Sequence, residues 1–300
     1  MNDAIFRAGQ RPLATLVALL AAALLAGCPE TDTTVGSSAS TDGDPADSQS
    51  GDQPSDVVET GLTPAQRLRA DQFISIFEND TLELQYAYIG AIEDGRGYTA
   101  GRAGFTSATG DMLVVVERYV AAEPQSALAA FLPRLRELAA AHSGSLDGLA
   151  GLPPAWEQAA EDARFRDIQD AVVAEEYFDP ALQFARELGL TTALGVLALY
   201  DANIQHGAGD DPDGVPAMIA RTSQRAGGAP ADGVDETEWL STFLEVRRAT
   251  LLNATDPETR EAWAQSTDRV TAQEQLVREA NFNLDGPINI NTQDHQATIP

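Results

Sequence analysis

The chain has 300 residues, enough for one large domain or two small ones with a substantial core. Its charge is lopsided: 46 acidic residues stand against 19 basic ones, all of them arginine, for a net charge of −27. That sign argues against a nucleic-acid binder, whose phosphates reward the opposite charge, and favours cationic partners, which a negative field concentrates. A single cysteine rules out an intramolecular disulfide. With only three histidines (His142, His206, His295) and one cysteine there is no His or Cys set that could bind a metal, and neither metal nor cofactor is expected.

Residues 1–27 read as an export signal. Arg7 and Arg11 give the positive start, and residues 13–25 form an apolar run too short for a comfortable membrane span. The run ends Leu24-Leu25-Ala26-Gly27-Cys28, which resembles a bacterial lipobox. That resemblance implies cleavage before Cys28 and lipidation of Cys28. The mature protein is then exported and anchored to the cell envelope through lipid chains, at roughly 0.8 kcal/mol per buried CH₂. Residues 28–62 follow as the lipidated Cys28 and an acidic tether of Ser, Thr, Asp and Gly with too few large apolar side chains to order itself. The tether holds eight acids and no base, and the first 27 residues carry +1, which leaves −20 on residues 63–300. The folded part is therefore acidic in its own right.

That part opens with Thr63-Pro64-Ala65-Gln66, a capping box with proline at the first helical position. Leu68, Phe73, Ile74 and Phe77 follow at helical spacing and predict a helix ending near Glu78. A second, shorter helix is predicted over residues 83–91. Residues 96–107, rich in Gly, Tyr, Thr, Phe and Ser, read as the only strands, a hairpin or small sheet. Asp111 then opens a helix, as an acid at a helix start should. Further helices are predicted over 125–141, 155–176, 179–188, 190–205, 215–226, 236–252, 257–265 and 268–280. Residues 190–204 are nearly free of charge and mark the central buried helix. Asp201 near its end needs a partner, because a buried acid must be paired; Arg225, Arg247 and Arg248 are the candidates. The class is mainly α, an α+β fold with one small sheet.

The chemistry-bearing residues gather between Glu78 and Asp111. Glu78 sits at the polar tip of an apolar helix, and the Gly-rich loop Asp94-Gly95-Arg96-Gly97-Tyr98-Thr99 presents an acid, an arginine and a hydroxyl within six residues. Two acids on separate elements suit glycoside hydrolysis, in which one carboxylic acid protonates the leaving oxygen and another carboxylate activates water. Tyr86, Tyr88, Tyr98 and Trp239 have the chemistry to stack on sugar rings, but their spacings favour the core.

The words Gln85-Tyr86-Ala87-Tyr88-Ile89, Asp94-Gly95-Arg96-Gly97-Tyr98-Thr99, Gly104-Phe105 and Thr109-Gly110-Asp111-Met112-Leu113 recur with Glu123-Pro124, His142-Ser143-Gly144, Tyr177-Phe178-Asp179-Pro180, Tyr200-Asp201-Ala202, His206-Gly207, Asp235-Glu236-Thr237 and Phe243-Leu244. In this order, from about residue 70 to 285, the chain resembles the chitosanases of glycoside hydrolase family 46. The resemblance implies a two-lobed, lysozyme-like fold with a small sheet in the minor lobe and a cleft between lobes. It implies endo-hydrolysis of β-1,4-linked glucosamine polymer with inversion, by one catalytic domain over residues 63–300 acting as a monomer. Residue by residue it implies Glu78 as general acid, Asp94 as general base and Thr99 as the residue that helps hold the attacking water. Arg96 becomes a loop-ordering residue at the substrate. Asp111, Tyr88, Glu236 and His206 become substrate-binding, and Asp201 with Arg247 the ion-pair network behind the acid.

The stretch between Glu78 and Gln85 is about two residues shorter than the family pattern, which makes Glu83 the alternative acid. Two other readings remain: a lysozyme-like enzyme acting on peptidoglycan, which is not a polycation, and a non-catalytic envelope lipoprotein that binds polycations.

Overall fold

The computed structural model describes residues 61–92 and 95–300. The export signal, Cys28, the tether up to residue 60 and Asp94 lie outside the described residues. Helix α1 (Pro64–Asn79) starts as its sequence dictates: the Thr63 hydroxyl accepts from the Gln66 N–H at 3.3 Å, and the Gln66 side chain accepts from the Thr63 N–H at 3.0 Å. It ends where Asp80 turns left-handed, which leaves Glu78 in the last turn.

Three short antiparallel strands follow, β1 (Ile89–Ala91), β2 (Tyr98–Ala100) and β3 (Phe105–Thr106), with Gly90 opposite Thr99 and Thr99 opposite Thr106. The helix predicted over residues 83–91 is therefore absent. Its place is taken by a turn and β1, because tertiary partners claim the carbonyls. The Trp156 indole and the Gln169 amide both donate to the Tyr86 carbonyl, and the Gly101 N–H donates to that of Tyr88. Residues 98–100 and 105–106 are strands joined by a turn, the small sheet expected there.

Helices α2 (Asp111–Ala122), α3 (Leu132–Ala141), α4 (Leu152–Ala160) and α5 (Ala163–Val173) pack with this sheet. The single helix predicted over 155–176 is broken at Asp162, whose carboxylate accepts from the Arg164 N–H and starts a new helix. One widened turn of π type, Ala174–Phe178, links this group of elements to the second, a feature that recurs at functional sites. The second group comprises α6 (Asp179–Leu188), α7 (Ala193–His206), α8 (Val215–Ala226), α9 (Glu236–Leu252), α10 (Pro257–Ala264) and α11 (Asp268–Arg278). Every residue of α7 is buried, which confirms it as the central helix.

The chain closes with a second hairpin, β4 (Ile288–Asn291) and β5 (Gln296–Ile299), packed on α1. Residues 96–107 were thus not the only strands. The period-two alternation Ile288-Asn289-Ile290-Asn291 buries both isoleucines and exposes both asparagines.

Candidate active site

Glu78 projects from the end of α1 onto Arg269 at the start of α11: Arg269 Nη1 lies 2.7 Å from Glu78 Oε1. Behind this pair the network runs inward. Arg269 Nε and Nη2 grip Asp201 Oδ1 at 3.1 and 2.7 Å, while Asp201 Oδ2 accepts from Arg247 Nη1 at 2.5 Å and from the Gln273 amide at 2.6 Å. Arg247 also donates to Gln205 Oε1 at 2.9 Å. Asp201 and Arg247 are fully buried. Burial alone would raise the Asp201 pKa, but the two guanidiniums override it and hold the carboxyl below the usual carboxylate range.

Among the three arginines considered for Asp201, Arg247 is the one engaged. Arg225 pairs with Glu245 and Arg248 with Glu274. Arg269, which carries the network to Glu78, escaped sequence reasoning. Its signal was positional: Arg269, Gln273 and Leu276 share one buried stripe of α11, so an arginine and a glutamine occupy core positions.

Glu78 itself is only partly covered, its side chain 15% exposed, and its Oε2 has no partner among the described residues. Glu83, the alternative acid, is exposed and offers its backbone carbonyl, to Ser75 and to Gln85. The geometry therefore favours Glu78.

The loop after β1 is fixed by glycines. Gly97 has φ +82, and a Cβ there would meet Ser107 Oγ at 2.2 Å; a Cβ on Gly144 would meet the Gly95 carbonyl oxygen at 1.9 Å. Such close approach of two backbones explains why His142-Ser143-Gly144 accompanies the Gly95-Arg96-Gly97 turn. Arg96 is half-buried, and its carbonyl accepts from the Ala108 N–H at 3.2 Å. Thr99, in the middle of β2, is fully buried and its hydroxyl has no hydrogen-bond partner among the described residues.

Asp111 opens α2 with an asymmetric carboxylate. Its Oδ1 accepts from the Thr106 N–H (2.9 Å), the Thr109 hydroxyl (2.6 Å) and the Met112 N–H (2.9 Å), whereas Oδ2 has no partner among the described residues. Burial raises its pKa against those hydrogen bonds. Glu176, in the π turn, is pushed up first by burial and then by the Asp111 charge. Tyr177 in the same turn is also raised, by burial and then by Asp111, Glu176 and Glu78, with Arg96 opposing. One phenol therefore feels Asp111 and Arg96 from the first group of elements and Glu78 from the end of α1. The acids converge where the two groups meet, although they come from well-separated stretches of sequence.

A family model, Glycosyl hydrolase family 46, matches residues 72–288. The chain belongs to this family. It is 46% identical over 239 residues to a chitosanase of Bacillus subtilis (strain 168), a match covering 80% of this chain and 86% of that one. The Gynuella sunshinyii GH46 chitosanase, solved with chitotetraose, is 53% identical with a TM-score of 0.71, over 80% of this chain and 99% of that one. A mutant chitosanase from Bacillus subtilis MY002, complexed with 6 GlcN, is 46% identical with a TM-score of 0.73, over 80% and 100% of the two chains. The fold is the mostly helical, lysozyme-like α+β type of family 46, and the protein is a glycoside hydrolase.

Two residues expected at the substrate have their side chains engaged within the fold. Glu236, at the first turn of α9, accepts four hydrogen bonds, from the N–H and hydroxyl of Thr191 (2.9 and 2.7 Å) and of Thr192 (3.0 and 2.7 Å). Its carboxylate is occupied in tying α9 to the start of α7, and Asp201 lies nine residues further along that helix, about 13 Å at 1.5 Å per residue. His206 is buried, with its ring edge-on to Trp263 at 4.5 Å; burial and then Arg247 and Arg269 hold it well below the usual imidazole range. A motif signals a residue type at a position, but not whether its polar atoms are already spent. Tyr88 is exposed, as a substrate contact requires. Trp239 stacks on Phe243 in the core, and Tyr86 donates to Asp170, in keeping with the core reading of both.

Proposed function

We propose that this protein is an endo-acting, inverting chitosanase that cuts β-1,4 linkages between glucosamine units. One observation carries the reading: Glu78 is the outer end of the Arg247–Asp201–Arg269 ion-pair chain, and its charge and that of Asp111 both act on the Tyr177 phenol. Glu78 donates its proton to the glycosidic oxygen as the C1–O bond breaks. Arg269, already in place at 2.7 Å, stabilises the carboxylate that forms. Asp94 takes the proton of a water whose oxygen bonds to C1 from the opposite face, and this single displacement inverts the anomeric centre. Thr99 supplies a hydroxyl with no other commitment to that water. Inversion requires the Glu78 and Asp94 carboxyls roughly 6.5–9.5 Å apart.

Asp111 Oδ2 and Glu176 offer negative charge to substrate ammonium groups, and Arg96 orders the loop that carries Asp94. The relatives solved with chitotetraose and with glucosamine oligomer support this substrate class. So does the −20 charge of residues 63–300, since chitosan is a polycation below its amine pKa. The sequence around Cys28 supports export with a lipid anchor, and radiolabelled fatty acid incorporated into wild type but not into Cys28→Ala is the expected result. For the activity, reducing ends should appear from chitosan and not from cell wall, and Glu78→Gln should lower kcat by about 10³-fold while the protein stays folded and binds chitosan. Full activity in that variant would overturn the assignment.

A further inference from the structure

The ion pair between Glu78 and Arg269 joins two helices that meet end to start, so its geometry depends on what fixes the last turn of α1 against the first turn of α11. The residues that immediately precede the two partners are Phe77 and Asp268. Both are held by one side chain. The His295 ring packs on Phe77 with centroids 4.8 Å apart at 59°, and its Nδ1 lies 3.4 Å from Asp268 Oδ2. His295 belongs to the turn of the C-terminal hairpin, beyond residue 288, where the family match ends.

The turn grips Asp268 in a second way, because the Asp294 N–H donates to the same oxygen at 2.7 Å. The turn's own shape is fixed by the Thr292 N–H donating to the His295 carbonyl at 3.0 Å and the His295 N–H donating to the Thr292 hydroxyl at 3.2 Å. On its other side Phe77 meets the Arg269 guanidinium, 6.0 Å from the ring centroid, and Phe73 at 4.9 Å. The side chains of His295 and Asp268 are 17% and 13% exposed, so water competes weakly for the contact. Against burial, which works the other way, the hydrogen bonds from the hairpin turn keep the Asp268 carboxyl below its ordinary range; Asp268 is the acceptor and the imidazole Nδ1–H the donor.

The geometry points to His295 as a positioning residue for the general acid: it staples the residue before Glu78 to the residue before Arg269, and so sets the distance and angle at which Arg269 meets the acid. It touches no reacting atom. A displacement of about 1 Å in a catalytic group costs on the order of 10²-fold in rate, so a lost staple shows in kcat and not in substrate binding.

This inference rests on the reading of Glu78 as the acid, and the experiment separates the two. Wild type, Glu78→Gln, His295→Ala, His295→Asn (an amide donor near the Nδ1 position, without the ring) and His295→Phe (the ring without the donor) are assayed on chitosan and on a β-glucosaminyl fluoride oligomer. The fluoride leaves without protonation. Thermal unfolding is followed in parallel. For His295→Ala the expected result is a kcat on chitosan about 10-fold down, KM within twofold, and the fluoride reaction within twofold of wild type. The Asn and Phe variants should each recover part of the loss. Wild-type kcat in all three His295 variants beside an inactive Glu78→Gln would overturn this inference alone, as would equal losses on both substrates. An active Glu78→Gln would overturn the acid reading and this inference with it.

Discussion

Among the described residues, two arginine–carboxylate networks of similar make-up do different things. One joins Arg67, Asp71, Arg102 and Asp170 with the hydroxyls of Tyr86 and Tyr200. Arg102 pairs with Asp71 at 2.8 Å and also with Asp170, Arg67 pairs with Asp71 at 3.2 Å, and Tyr200 donates to Asp71 at 2.9 Å. All four carboxylate oxygens have partners, Asp170 Oδ2 through the Tyr86 hydroxyl at 3.0 Å. The other is the Arg247–Asp201–Arg269–Glu78 chain, again of alternating arginines and carboxylates but with Gln205 and Gln273 in place of tyrosines, which ends at Glu78 with one oxygen unpartnered among the described residues. Each centres on a mostly buried carboxylate shared by two arginines, Asp71 in one and Asp201 in the other. What distinguishes the chemical site is an unfinished valence facing outward, and the finished network braces α1, α5 and α7.

That contrast can be broken most forcefully with a matched pair of variants. Asp201→Asn and Asp71→Asn each remove the charge of a carboxylate shared by two arginines, leaving one of them without an acidic partner, and each should cost about 3–5 kcal/mol of stability by denaturant unfolding. Corrected for the folded fraction, kcat should fall at least about 10²-fold in Asp201→Asn and stay within about threefold in Asp71→Asn. Equal kcat losses would show that both networks serve only stability. The Asp201 pair also has a pH signature. Its folded pKa lies below the unfolded value of about 3.9, so its stabilisation is complete above that value and is lost as pH falls through the lower, folded one.

A smaller effect is expected where the contrast concerns binding. Asp111→Asn keeps the three hydrogen bonds to Oδ1 but removes the charge on Oδ2. KM for chitosan should rise about fivefold with kcat little changed. The rise in KM that added salt produces, by screening over about 8–10 Å, should become shallower. An unchanged KM would remove Asp111 from the substrate's path.

The smallest effect belongs to His206, which lies near the open network without joining it. Its folded pKa is depressed, so the unfolded chain takes up the proton first. Stability is then complete above about pH 6.5 and declines below it, by at most about 1.4 kcal/mol per pH unit. His206→Phe should flatten the fall in unfolding temperature between pH 7 and 5 and leave kcat near wild type; a collapse in kcat would return His206 to the site.

The parts legible in the sequence were those governed by local rules. The Thr63 capping box, the helix opened by Asp111, the charge-free α7 and the need of Asp201 for a partner each follow from a few neighbouring residues. What sequence missed was settled at long range. Residues 83–91 became a turn and a strand because Trp156 and Gln169, about 70 and 83 positions away, bond the Tyr86 carbonyl. Arg269 reached Glu78 across 191 positions, and no local pattern ties α11 to α1. Glu236 and His206 were drawn to the site by their motifs, but the bonds of Glu236 to Thr191 and Thr192 and the burial of His206 against Trp263 belong to the packed fold.

The central claim is a single displacement at the anomeric carbon, with Glu78 giving a proton to the leaving oxygen while a water is deprotonated on the far face. Proton NMR of a fresh chitosan digest, recorded before mutarotation, tests it directly. The account predicts that the α-anomer of the new reducing end appears first and the β-anomer only later; the β-anomer appearing first would contradict it.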